Sequence, residues 1–125
     1  MMPLNEIQRK IYKMGQDAAI HPSRLILRTG SSGDGVPYID ISNGTYDYVI
    51  AERGVEFSRR ITNDLDEFLY YFLDGVISML SFEYEFAHRK NSEYLINVAF
   101  DKKVELMSLI SKSWGIRTYE EIKHL

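Results

Sequence analysis

Two glycine-ended pairs, Asn43-Gly44 and Arg53-Gly54, punctuate a run in which apolar residues recur at every second position. Period-two alternation marks a half-buried strand, and Asn-Gly between such runs is the strongest short hairpin signal. A two-residue turn at Asn43-Gly44 sets Ser42 opposite Thr45, and the rest of the register follows. Ile41 then faces Tyr46, Ile39 faces Tyr48 and Pro37 faces Ile50 on one side. Tyr38 faces Val49, Asp40 faces Asp47 and Val36 faces Ala51 on the other. The first set is the more apolar and is assigned to the core. With a second tight turn at Arg53-Gly54, Val55, Phe57 and Ile61 join that core face, and Arg60 lies opposite Asp47. A small antiparallel meander is the expectation.

Helical patterns flank it. Leu4, Ile7, Ile11, Met14 and Ala18 form one apolar stripe from Leu4 to Ala19, with Asn5 as N-cap and His21-Pro22 as the stop. Arg24 to Arg28 reads as a short strand, and the glycine- and serine-rich Thr29–Gly35 as a hairpin connection. That loop lacks the Gly-Lys-Ser/Thr ending of a phosphate cradle and leads into a strand rather than a helix. After the meander, Thr62–Glu67 is dense in N-capping residues and first-turn acids. A long helix over Asp64–His88 follows, with Leu65, Phe68, Leu69, Phe72, Val76, Met79 and Leu80 as its core stripe. Phe82, Tyr84 and Phe86 widen its apolar surface beyond what one sheet contact needs. Lys90–Glu93 is a loop, Val104 to Ile110 belong to a further helix closed near Trp114-Gly115, and Thr118–Glu121 has capping-box spacing for a last one. The fold class is α+β: an N-terminal helix, a small antiparallel sheet, then a long helix and C-terminal helices on one sheet face.

At 125 residues with 45% hydrophobic content, the chain is expected to form one domain over 1–125 with its own core. A formal charge of −3 argues against a general phosphate-backbone binder, so no nucleic-acid partner is expected. The chain has no cysteine, which removes disulfides, thiolate catalysis and cysteine zinc sites. No apolar stretch is long enough to span a bilayer, and charges at Glu6, Arg9 and Lys10 interrupt any leader-like core, so the expected location is the cytoplasm with no membrane partner.

Catalytic patterns are scarce. Glu85 and His88 have the i, i+3 spacing of two ligands on one helix face, but a di-metal site needs a second such pair, and the simpler reading is a solvated ion pair. No metal or other cofactor is expected. Adjacent Glu52 and Arg53 point to opposite sides of a strand, so they do not act on one substrate atom; Glu52 is expected to anchor a helix N-terminus or an arginine such as Arg59. On the outer sheet face, Asp40 against Asp47 beside Tyr38 and Val49 makes an acidic, aromatic patch suited to a basic protein partner. A self-neutralised charge row through Arg60 is the competing reading.

The string Tyr48-Val-Ile-Ala-Glu52-Arg53-Gly54, followed by Arg59-Arg60-Ile-Thr62 and an acidic helix start, resembles the immunity protein 63 group of bacterial polymorphic toxin systems. The Pro37-Tyr38-Ile39 strand and Trp114 after a Glu105-Leu106 helix are similar to that group's layout. The resemblance implies a non-enzymatic antidote that binds a cognate toxin protein, with Tyr48, Glu52, Arg53, Gly54, Arg59 and Trp114 as motif residues that serve the fold. Two other readings stay open on the residues alone. One is a homodimeric adaptor joined through the long helix, and the other is a small-molecule binder or enzyme around Glu52, Arg53 and Arg59.

Overall fold

Helix α1 (Leu4–Asp17) buries Ile7, Ile11 and Gly15 along one side. The computed structural model describes residues 1–125. Pro3, not Asn5, is the N-cap, because its carbonyl accepts from the N–H of Glu6 (3.0 Å) and Ile7 (3.1 Å) and so starts the first turn earlier. The helix ends where Gly15 C=O accepts from Ala18 (3.1 Å) and Ile20 (3.0 Å), with Ala19 in the left-handed region at φ 55°.

The segment expected as a strand at Arg24–Arg28 is instead a 3-10 turn (Pro22–Arg24) and an extended stretch. Its backbone is claimed by a side chain. The Gln8 amide donates to Leu25 C=O (2.8 Å) and its oxygen accepts from Leu27 N–H (2.7 Å). A Cβ on Gly15 would crowd Leu25, so this stretch lies directly against α1.

Strands β1 (Tyr38–Asp40), β2 (Tyr46–Glu52) and β3 (Val55–Thr62) form an antiparallel sheet in the order β1-β2-β3. The β1–β2 register is the expected one: Tyr38 with Val49, Ile39 with Tyr48, Asp40 with Asp47. The connection differs in kind. Asn43 does not take the positive φ that a two-residue Asn-Gly turn needs; Gly44 alone does (φ 79°), and its N–H donates to Ile41 C=O (3.2 Å). At the second connection Arg53 (φ 52°) and Gly54 (φ 79°) are both left-handed and Glu52 pairs with Val55, a tight two-residue turn.

A bulge then overturns the expected third strand. Ala51 pairs with Glu56 but Ile50 pairs with Ser58, so Phe57 is extra and the parity of β3 flips beyond it. Ile61, not Arg60, lies opposite Asp47, and Arg60 moves to the Tyr48 side. Val55, Phe57 and Ile61 are exposed at 56%, 65% and 60% rather than in the core.

Helix α2 (Leu65–Ala87) begins as its sequence requires, with the Asp64 carboxylate accepting from Asp66 N–H (3.0 Å). It buries Phe68, Leu69, Tyr70, Phe72, Leu73 and Ile77, while Met79 from the expected stripe is exposed. Tyr46 and Tyr48 of β2 meet Phe68 with ring centroids 6.2 and 6.3 Å apart. That contact joins sheet and helices into one core with Ile7, Ile11, Leu25, Ile39 and Met107.

Helices α3 (Ile96–Ile110) and α4 (Lys112–Lys123) are divided earlier than the sequence suggests. Ser111 breaks the path in an extended conformation and caps α4 through Trp114 N–H (3.3 Å). Gly115 is therefore not a C-cap. It is buried in the first turns of α4, where a Cβ would sit 2.8 Å from Ser108 Cβ, so glycine is what lets α3 and α4 approach. Thr118 does not begin a helix either: it is buried within α4, its hydroxyl 3.1 Å from that of Tyr70.

Candidate partner-binding surface

The motif from Tyr48 to Gly54 divides into a buried half and an exposed half. Tyr48 packs its ring edge against Phe68 and rests its hydroxyl over Gly75, where any Cβ would overlap it. Burial, with the Asp74 charge adding to it, pushes the Tyr48 phenol up to about 12. Tyr48 is thus a packing residue. Trp114 is another, meeting Tyr70 edge to face at 5.3 Å and 86°.

Arg59 has a different place from the one expected. The bulge carries it to the outer face, where it bonds Asp47 (2.6 Å), Asp40 (3.1 Å) and Glu56 (2.8 Å). Asp47 also accepts from the Thr45 hydroxyl (2.6 Å). These hydrogen bonds raise the Arg59 guanidinium and hold Glu56 below the usual carboxylate range. Asp40 is lowered too, first by hydrogen bonds from Ser42 and then by Arg59. The like-charged pair Asp40–Asp47 is therefore bridged by one intramolecular cation, Arg59 rather than Arg60, which it shares with Glu56, so the cluster keeps an excess of carboxylates. Asp47 is 2% exposed and Val49 0%, so neither reaches a partner from this conformation; Tyr38 and Asp40 are half-buried. On that face Val49 is flanked across the strands by Tyr38 and Arg59.

At the other end of β2 the picture reverses. Glu52 and Arg53 are exposed, and neither side chain makes an ion pair or a hydrogen bond. Glu52 does not hold Arg59, whose guanidinium is taken up by other acids. Neither of the two best-formed depressions is lined by Glu52, Arg53 or Arg59: one of about 260 Å³ lies along Glu6, Arg9, Lys10 and Lys13, and one of about 450 Å³ lies between Ala19, His21, Tyr84 and Lys102. Beside this tip runs the outer edge of β3, eight residues whose outward peptide groups have no backbone partner.

A second exposed apolar region lies at the C-terminal end of α2. Met79, Phe82 and Phe86 are exposed at i, i+3 and i+7, and Tyr94 leans on Phe82 at 6.4 Å. Tyr84 is partly covered, with Lys102 over its ring (4.4 Å) and His88 stacked on it (4.0 Å). Glu85 pairs with Arg89, not His88. Its buried carboxylate accepts from Arg89 Nε (3.0 Å) and from Leu95 N–H (3.1 Å), which ties the α2–α3 connection down. Arg89 holds it below the usual carboxylate range. Sequence reasoning missed this latch, although Glu85 and Arg89 stand at the i, i+4 spacing that allows it.

This arrangement is an α+β fold with its helices against one face of a three-stranded sheet. The family model described as Immunity protein 63 matches residues 42–124, more than half of the chain, and so the chain belongs to the immunity protein 63 family. The match takes in β2, β3 and α2 to α4, and leaves out α1 and β1. No curated protein and no solved structure matches the chain. No helix is long and apolar enough to cross a membrane.

Proposed function

We propose that the chain is an antidote that neutralises a cognate bacterial toxin by direct protein–protein binding, occluding the toxin rather than acting on it chemically. Membership of the immunity protein 63 family carries this reading. The site geometry is in keeping with it: the charged motif residues are either paired within the fold, as Arg59 is, or exposed and outside both of the depressions described above, as Glu52 and Arg53 are. The test is co-expression with the C-terminal domain of the protein encoded upstream. Killing by that domain alone, with rescue and co-purification in the presence of this chain, is the expected result. A harmless neighbour, or rescue without a complex, would remove the reading.

A second reading rests on Met79, Phe82 and Phe86, whose exposure at one helix face suits a homodimer through α2. It predicts a dimeric solution mass that Phe86→Glu converts to a monomer.

A further inference from the structure

The two edges of the sheet are unlike. β1 is three residues long and half-buried, and its Ile39 N–H already donates to Arg28 C=O (2.9 Å), so this edge is short and partly covered. β3 is eight residues long, lies at the opposite edge, and carries Val55, Phe57 and Ile61 into solvent. A long edge with unpaired peptide groups is a template for another strand; the charges and bulge of β3 blunt it against indiscriminate pairing, while its exposed apolar side chains leave anchors for a matched partner.

A second copy of this chain is a poor occupant. Two-fold antiparallel pairing of β3 with itself must centre on a residue, since paired positions share a sheet face. Centring on Arg59 or Arg60 sets arginine against arginine, and centring on Glu56 sets carboxylate against carboxylate, both repulsive. Centring on Phe57 or Ser58 brings the bulges of both copies into the new ladder, where a regular partner strand would meet only one. Centring on Ile61 leaves little strand beyond it to pair, because β3 ends at Thr62. The charges left free point to a different partner. Arg53 at the tip has no acidic partner, and Arg60 lies on the Tyr71 ring (3.8 Å) without an ion pair, so two guanidinium groups lie along the edge that carries Val55, Phe57 and Ile61, against the one unpaired carboxylate of Glu52. Glu56 between them is bonded to Arg59, which it shares with Asp40 and Asp47. Arg53 is also held at φ 52°, a conformation unfavourable to a non-glycine residue, with no side-chain hydrogen bond or ion pair in return.

We propose that the outer edge of β3, with Arg53 at its tip, takes up an extended, apolar segment of the toxin bearing carboxylates, which pairs with it as a fourth strand. This rests on the antidote reading above and assigns its binding surface. Backbone pairing supplies the docking geometry, Phe57 and Ile61 supply apolar anchors, and Arg53 selects an acidic side chain.

The experiment measures binding of the upstream-encoded toxin domain to the full chain and to variants whose far-ultraviolet spectra and melting temperatures match it. Phe57→Glu with Ile61→Glu is expected to weaken binding about 100-fold or more, and Arg53→Glu about 10-fold, largely in the association rate. Phe86→Glu, on the α2 patch, is expected to bind as the parent does. Amide exchange in the complex should show alternate amides of residues 55–62 slowed, the signature of a new ladder on one edge. Full affinity in the β3 variants, or a complex in which those amides exchange unchanged, overturns the strand-addition proposal and leaves the antidote reading standing. Failure of the unmodified chain to bind the toxin domain overturns both. A self-associating chain whose dimer is lost in Phe57→Glu assigns the edge to a second copy and likewise overturns the proposal.

Discussion

The two ends of β2 belong to one short motif yet live under opposite rules. From Tyr46 to Val49 every side chain is buried, and two of the three polar side chains there are bonded within the fold: Tyr46 Oη accepts from Met2 N–H (3.1 Å), and Asp47 is held by Thr45 and Arg59. From Glu52 to Gly54 the chain is exposed, turns through two left-handed residues and makes no side-chain bond. A sequence motif is thus no unit of function. Its buried half constrains the core, and its free half is the part open to a partner.

Substitution at Tyr48 should sharpen that contrast most. Removing its ring in Tyr48→Ala takes away contacts with Phe68 and opens a void beneath α2, at an expected cost of about 3–5 kcal/mol. Tyr48→Phe should cost less than about 1 kcal/mol, because the hydroxyl makes no hydrogen bond within the protein. Urea denaturation of the pair reads both, and equal losses would mean that the hydroxyl, not the ring, is what the core needs.

The next largest effect lies at Gly75, where helix propensity and packing disagree. A methyl group there would meet the Tyr48 hydroxyl, so Gly75→Ala should destabilise by about 1–3 kcal/mol despite the better helix former. In the Tyr48→Phe background the nearest remaining atom is Tyr48 Cζ at 3.5 Å, an ordinary contact. The same Gly75→Ala change should then be neutral or stabilising by up to about 1 kcal/mol. Additive losses in the double variant would refute the fit between these two residues.

Much of this is legible in the sequence, and the failures have separate causes. The β1–β2 register, the Arg53-Gly54 turn and the Asp64 start of α2 all follow from local chemistry, and all are present. The outward turn of Ile61 is not legible, because one extra residue at Phe57 reverses the parity of everything after it and no local signal marks it; Val55, ahead of the bulge, keeps its expected partner Glu52 and is nonetheless exposed. The same reversal sent Arg59 rather than Arg60 to Asp47. Arg24–Arg28 was misread because the bonds of Leu25 and Leu27 go to Gln8, distant in sequence. Of the candidate docking residues, the strand register placed Tyr38, Asp40, Asp47 and Val49 on one face correctly, but it carried no information on how much of that face solvent reaches.

The outer-face cluster gives the contrast a pH signature. Glu56 is depressed by Arg59, and Asp40 by Ser42 and then Arg59, so both are more acidic folded than unfolded. Their contribution is in place above the ordinary carboxylate range near about pH 4 and is lost as pH falls through the lowered values. Arg59→Met should therefore reduce stability at neutral pH and flatten its decline between about pH 5 and 3, since part of the depression disappears. Because these groups are partly exposed, the effect should shrink in added salt. An unchanged acid limb would mean that Ser42, not Arg59, governs the cluster.

The smallest expected change in stability is at the free end, and its sign is the informative part. Arg53 occupies the left-handed region with no side-chain hydrogen bond or ion pair to compensate, whereas asparagine tolerates that region and glycine is indifferent to it. Arg53→Asn should stabilise the isolated chain by about 0.5 kcal/mol, as tight-turn preferences require. A chain made more stable by losing this side chain holds it for something other than folding. The same variant should bind the toxin domain more weakly, so that stability and affinity move in opposite directions. Movement of both in the same direction would place Arg53 with Tyr48, among the residues that serve the fold alone.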